Sequence, residues 1–205
     1  MTRRTTSLLM IVALLCVVPL LLANANYRFT FDNPSVGEMR APFTLEYFSM
    51  TECPSCREFE KADIASLEPL IESGQLRIIY RDLPSFSHHE MGLRLFCLQE
   101  YDDYLGYRRA AKVDPDFTWH TLPVLHGRAM ARHQQCLTTE AAPAIHRHNR
   151  IAFDRRGFEA TPAFTLVFAA DRKAIRTHWT GRPSVPAFFQ TMNALRSSLS
   201  GEPAH

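Results

Sequence analysis

The sequence predicts an α/β fold in which a parallel β-α-β unit and a later β-β-α unit are separated by a long helical block. Three observations carry this prediction. Strand-like apolar runs at 43–49 and 76–80 flank a helical pattern, and that order within so short a stretch implies a crossover onto a parallel sheet. Residues 86–157 hold no convincing strand. Two more strand-like runs, at 163–168 and 174–179, then lead into an amphipathic closing helix over 185–199.

The chain has 205 residues, 46% of them hydrophobic, which suffices for one domain carrying an insertion. Its first segment reads as a leader rather than as part of that domain. Arg3 and Arg4 form a positive head, Leu8 to Leu22 is almost wholly apolar, and Ala23-Asn24-Ala25 has the small-x-small form of a cleavage site. Asn26 is then the expected first residue of the mature chain, in an exported setting. The alternative is an uncleaved anchor, for which the run is short against the roughly 20 residues of a membrane span. Cys16 lies in the run behind Leu15, not behind a small residue, so it is not read as a lipidated cysteine. Without Arg3 and Arg4 the 23 basic residues fall to the same number as the 21 acidic ones. No basic tract with interleaved aromatics is present, so nucleic acid is not an expected partner.

Residues 26–41 are polar and turn-rich and read as an arm leading into the domain. Phe43 to Ser49 is the first strand, rich in aromatic residues. Cys53-Pro54-Ser55-Cys56 follows, and then Phe59, Ile64, Leu67, Leu70 and Ile71 recur at helical spacing until Gly74 supplies a stop. Pro69 within this run is expected to kink or interrupt the helix. Leu76 to Tyr80 is the second strand, closed by Asp82-Leu83-Pro84. In the helical block the candidates are Met91–Leu98, Thr121–Arg132 and Ala141–Phe153, the last starting near Thr138 or Thr139. Ala163–Phe168 and Ala174–Trp179 are joined by an Asp171-Arg172 turn, and Val185–Leu199 closes the chain. The expected division is a signal peptide over 1–25, a main domain built from 26–85 and 158–199, a helical insertion over 86–157 and a tail over 200–205.

The mature chain keeps Cys53, Cys56, Cys97 and Cys136, and an even count in an exported protein favours disulfides. A Cys-x-x-Cys pair has three readings: a redox dithiol, half of a zinc or copper site, or an inert bridge. Position argues for the first. Between a strand and a helix, Cys53 falls at the helix N-terminus and Pro54 just inside it, where a missing N–H is harmless. Unpaired N–H groups and the helix dipole there favour an anion. Cys53 is therefore the expected nucleophilic thiolate, with Cys56 one turn further on as the resolving thiol. The metal reading needs two more ligands. Cys97 and Cys136 do not form a second Cys-x-x-Cys, although His88-His89 and His146-x-His148 are available for recruitment.

Phe43 to Ser49 leading to Cys53-Pro54-Ser55-Cys56, then Tyr80-Arg81-Asp82-Leu83-Pro84 and Thr161-Pro162-Ala163-Phe164, together resemble the DsbA-like branch of the thioredoxin superfamily. The resemblance covers most of 40–199. It implies a thioredoxin fold with an inserted helical domain, and a protein disulfide oxidoreductase of the periplasm acting on exported proteins or peptides with cysteines. It also implies an exchange that needs no cofactor and a membrane redox partner, or a reductive partner if the exchange runs in the other direction. Pro162 is expected to be cis and to face the cysteine pair, with Thr161 lining the site and a strand edge left open for a substrate segment. The site residues so implied are Cys53, Pro54, Ser55, Cys56, Thr161 and Pro162.

Two departures from the family pattern matter, at Glu46 and Ser55, and so does the charge of Glu52. Glu46 lies near the place of the buried acid that the family keeps beneath its resolving cysteine, but one extra residue separates it from Cys53, so a solvent-facing glutamate is the alternative. Glu52 precedes Cys53, and its charge opposes a thiolate. Ser55 stands where strongly oxidising members carry histidine, which points to a less oxidising couple. Some family members resemble this chain in having a second disulfide in the helical domain, which implies a Cys97–Cys136 bridge. Two free thiols in an oxidising compartment would be an anomaly. The competing function is a metal-binding or metallochaperone module on the same fold. A scaffold with a vestigial motif is a third reading, and an isomerase is disfavoured because 26–41 is too short for a dimerisation domain.

Overall fold

The computed structural model describes residues 31–84, 89–113, 124–170 and 172–200. The expected signal peptide over 1–25, the turn residue Asp171, the His88 position and the tail beyond Ser200 lie outside them. Five strands form one mixed sheet in the order β1-β3-β2-β4-β5. They are β1 (Ser35–Val36), β2 (Phe43–Ser49), β3 (Leu76–Asp82), β4 (Ala163–Ala170) and β5 (Lys173–Thr180). β2 and β3 run parallel, with Phe43 opposite Leu76, as a helical crossover requires. β4 is antiparallel to β2, and β5 to β4. At the β4–β5 turn Arg172 takes a positive φ of 64°.

β2 is the central strand and is buried along nearly all its length, so it reads as a continuous apolar run rather than an alternation. Successive side chains still point to opposite faces. Phe43, Leu45 and Tyr47 join the larger core, in which Phe59, Leu67, Phe164, Leu166, Phe188 and Met192 also sit. Phe48 points the other way, against Phe153, Phe158 and Leu83. Both faces of the sheet are thus covered.

Cys53 caps a helical run made of α1 (Pro54–Glu58), a π-helical turn at Phe59–Asp63, and α2 (Ile64–Glu72). The interruption expected at Pro69 is placed differently. Pro69 lies inside α2, where its ring costs the hydrogen bond to the Ala65 carbonyl, while the break in regularity falls earlier, at 59–63. That wide turn buries Glu60 and Asp63 beside Phe59. A second difference concerns the arm. Ser35 and Val36 pair antiparallel with Ile79 and Ile78, extending the sheet. Gly37 follows with φ +90°, and a Cβ there would collide with the Leu76 carbonyl oxygen. A two-residue strand is too short for its period to be visible.

Between β3 and β4 the described secondary-structure elements are all helical: α3 (His89–Cys97), α4 (Tyr104–Val113), α5 (Gly127–Thr138) and α6 (Ala141–Arg155), with a short 3₁₀ turn at Leu98–Glu100. α4 was not expected from the sequence, because its two adjacent arginines and Lys112 obscure an apolar stripe. The Thr121–Arg132 candidate is shifted: α5 begins at Gly127 and runs to Thr138, while 121–123 lie outside the described residues. Cys97 and Cys136 are joined, with Cα atoms 5.7 Å apart, in a small core with Phe96 and Ala142. α7 (Val185–Ser200) packs Phe188 and Met192 against the sheet. Among the described residues no helix is long and apolar enough to cross a membrane.

Candidate active site

Cys53 and Cys56 form a disulfide whose Cα atoms are 5.2 Å apart. Their backbone is held from both sides. The Cys53 N–H donates to the Met50 carbonyl at 3.3 Å, and the Cys53 carbonyl accepts from the Arg57 N–H at 3.2 Å. The Cys56 N–H is directed at Cys53 Sγ at 3.1 Å, so Cys53 serves as the N-cap of α1 with Pro54 in its first turn. An N–H aimed at sulfur is the local element that would hold a thiolate once the bond is reduced. Cys56 is fully buried and Cys53 is 9% exposed, so an incoming thiol meets Cys53. Pro54 and Ser55 are exposed beside it.

The Thr161–Pro162 peptide bond is cis. It precedes β4, and the Thr161 carbonyl oxygen lies 3.4 Å from Cys53 Sγ across 108 residues of sequence. A disulfide sulfur has no proton to give, so this is a van der Waals contact in the oxidised protein. The reduced thiol would have an acceptor there. The Gly181 N–H donates to the Pro162 carbonyl at 2.8 Å and ties the loop to the end of β5. The structure thus gathers the four motif residues and the Thr161-Pro162 loop into one place.

Glu46 meets neither expectation. It is buried on the sheet face opposite Cys56, in line with the alternation along β2. Its Oε1 accepts from Arg81 and its Oε2 from Arg156 at 2.6 Å, and both guanidinium groups stack over Phe48. The side chain beneath Cys56 is instead Tyr47, whose hydroxyl donates to the Cys56 carbonyl at 3.2 Å. The Tyr47 ring stacks on Phe164 of β4 at 5.2 Å and packs on Phe59 at 4.9 Å. The strand after the cis bond and the cysteine helix therefore share one aromatic support.

Behind Tyr47 lies a buried charge cluster that sequence reading missed. Arg108 of α4 has no exposed surface. It donates to Asp82 at 2.6 and 2.7 Å, to both oxygens of Glu60 at 3.1 Å, and to the Tyr104 hydroxyl at 3.0 Å. Lys112, one turn on, donates to Glu60 at 2.7 Å and to Ser49 Oγ at 3.0 Å. Two cations thus meet two carboxylates. Burial alone would raise the Asp82 carboxyl, but Arg108 and Lys112 outweigh it and hold the group far below the ordinary carboxylate range. Burial and the Glu60 charge push the Tyr47 and Tyr80 hydroxyls well above theirs. Arg108 and Lys112 stand four apart on a helix, which on sequence alone reads as two solvated like charges. No signal within α4 marks them as buried.

These shifts fix the pH window of stability. Asp82 binds a proton more weakly when folded, so its contribution is full above its unfolded value near pH 4 and is lost as the pH falls from there. The tyrosines hold theirs more tightly when folded, so their contribution is full below about pH 10 and is lost above it. Urea midpoints measured from pH 3 to 11 should form a plateau with falling flanks. A midpoint that rises between pH 5 and pH 3 would contradict the assignment.

A cysteine pair at a helix N-terminus facing a cis-proline loop, on a β-α-β…β-β-α sheet, defines a protein of the thioredoxin fold class. The family model described as Thioredoxin matches residues 30–174, and the chain belongs to that family. Among solved structures it is similar to Wolbachia pipientis α-DsbA1, with TM-score 0.63 and 16% identity over 83% of this chain and 95% of that one. Pseudomonas aeruginosa DsbA2 gives TM-score 0.59 and 14% identity over 87% and 100% of the two chains. Chlamydia trachomatis DsbA gives 0.59 and 15% over 83% and 95%. At such identities the likeness is one of fold, and that fold is DsbA-like. No curated protein matches the chain.

Proposed function

We propose that this protein is a periplasmic thiol–disulfide oxidoreductase that exchanges disulfides with exported proteins through Cys53 and Cys56. The observation that carries the reading is the pairing of a nearly buried Cys53 sulfur, 3.4 Å from the cis-proline loop, with a fully buried Cys56. In the oxidising direction a substrate thiolate attacks Cys53 Sγ. The Cys53–Cys56 bond breaks, and Cys56 leaves as a thiolate that takes up a proton. The substrate's second thiol, losing its proton, then attacks the mixed disulfide. The substrate leaves oxidised and Cys53 leaves reduced, its thiolate favoured by the Cys56 N–H. Thr161 and Pro162 border the position where a substrate segment would lie, and Pro54 and Ser55 shape the approach. A membrane redox partner would return the pair to the disulfide. The leader over 1–25 and the bridged helical block over 86–157 fit export to an oxidising compartment.

The test is equilibration of the full chain with glutathione redox buffers, followed by thiol alkylation. A single reversible two-electron couple that is lost in Cys53→Ser is the expected result. Its potential gives the direction: near about −120 mV the pair donates disulfides, and near about −270 mV it reduces them. Ser55 in place of histidine predicts a value below the oxidising extreme. Stoichiometric zinc or copper(I) binding by a pair that does not exchange with glutathione would refute the proposal.

A further inference from the structure

We propose that Arg108 and Lys112, both carried by α4 in the helical block, are positioning residues for the thiol chemistry. By setting the net charge beneath the Cys53–Cys56 pair they set its reduction potential. This rests on the exchange reading above, and it names a control of that site which lies outside the motif.

The cluster is in position to act. Glu60, one of its two carboxylates, stands four residues beyond Cys56 in the same helical run, buried at the π turn. Tyr47 bridges the two places: its hydroxyl donates to the Cys56 carbonyl at 3.2 Å, and Lys112 Nζ lies 5.9 Å from the centre of its ring. Arg108 Nη2 and Lys112 Nζ also both reach Ser49 Oγ, at 3.2 and 3.0 Å, on the strand that leads into the motif. All these groups are buried, so their fields reach the sulfurs with little screening by water.

The formal charges of Arg108, Lys112, Glu60 and Asp82 sum to zero, and that balance is the controlling quantity. Reduction turns a neutral disulfide into a thiolate at Cys53 and a thiol at Cys56. Positive charge beneath the pair favours this change and negative charge opposes it. Removing one cation leaves a net negative cluster, and removing one carboxylate leaves a net positive one. The two variants must therefore move the couple in opposite directions. A cluster that only braces the fold would lower stability in both and move the potential in neither. Glu52, Arg57 and Glu58 flank the pair on its own segment and stay unchanged in every variant, so their contributions cancel.

The experiment compares Lys112→Met, Glu60→Gln and Lys112→Arg in the full chain. It reads the glutathione equilibrium constant, the acidity of Cys53 in chemically reduced protein by the pH dependence of alkylation, and the urea midpoint. Lys112→Met is expected to disfavour reduction by at least threefold, about 15 mV, and to make Cys53 less acidic. Glu60→Gln is expected to favour reduction by a similar factor and make Cys53 more acidic, and Lys112→Arg should restore the wild-type couple. Shifts in the same direction, or shifts under twofold beside a lowered urea midpoint, overturn the inference. If Lys112→Met does not fold, Glu60→Gln decides alone, since an unmoved couple there is equally fatal. If the wild type does not equilibrate with glutathione, the exchange reading fails, and the alkylation profiles still decide whether the cluster controls Cys53.

Discussion

Arg108→Met is expected to lower unfolding stability by about 3–5 kcal/mol, the usual consequence of removing one partner from a buried ion pair. The side chain is the largest among the fully buried ones described, and its guanidinium sits 4.2 Å from the Tyr80 ring centre between two carboxylates. Methionine fills much of the volume but leaves Asp82 and Glu60 facing each other with only Lys112 between them. A domain stable by about 5–15 kcal/mol would lose a large share of its margin. The measurement is urea unfolding at pH 7, with Arg108→Met/Asp82→Asn as the second member of a cycle. The double variant should recover part of the loss, because it no longer holds an unpaired carboxylate at Asp82. A single variant within about 1 kcal/mol of wild type would mean that the cluster is hydrated and not buried, since exposed pairs are worth no more than that.

The second large effect belongs to the bridge. Cys97 and Cys136 close a loop of 39 residues, for which chain entropy gives about 4 kcal/mol. Both sulfurs are buried, so glutathione has poor access to them, whereas Cys53 has an exposed edge. Cys97→Ala/Cys136→Ala should therefore unfold at a much lower urea concentration while its Cys53–Cys56 couple keeps a wild-type potential. The loop it frees carries α4, so the loss should concentrate in the helical block, as faster amide exchange in α4 and α5 than in β2 and β4. An unchanged urea midpoint would mean that the bridge adds nothing to the fold. A potential that moved with the bridge would mean either that it takes part in the exchange or that it holds the α4 charges in place behind Tyr47, and amide exchange in α4 separates the two.

How much of this was legible in the residues differs from element to element. β2 is legible at its true limits because an aromatic-rich run bounded by Pro42 and the motif has no competing helical period. The thiol pair at a helix N-terminus was legible for the same reason: strand, turn and helix are neighbours in sequence. The β1 pairing was not, since two residues show no period, and α4 was not, since its buried cations look like surface charge.

What the sequence by itself determined was everything set by local order. That includes the strand–motif–helix succession, the Thr161-Pro162 loop before a strand, and the long helical stretch between the two β units. What only the tertiary structure decided was which side of the sheet each polar group occupies and what it meets there. Glu46 and Tyr47 are adjacent, yet the one-residue step turns the acid toward Arg81 and Arg156 and the phenol toward Cys56. Arg108 finds its partners 26, 48 and 59 residues away. Those distances are bridged by the sheet register and by the packing of α4 behind Tyr47. A buried charge is tolerated only where such partners converge, so its place is a property of the assembled core and not of the segment that carries it.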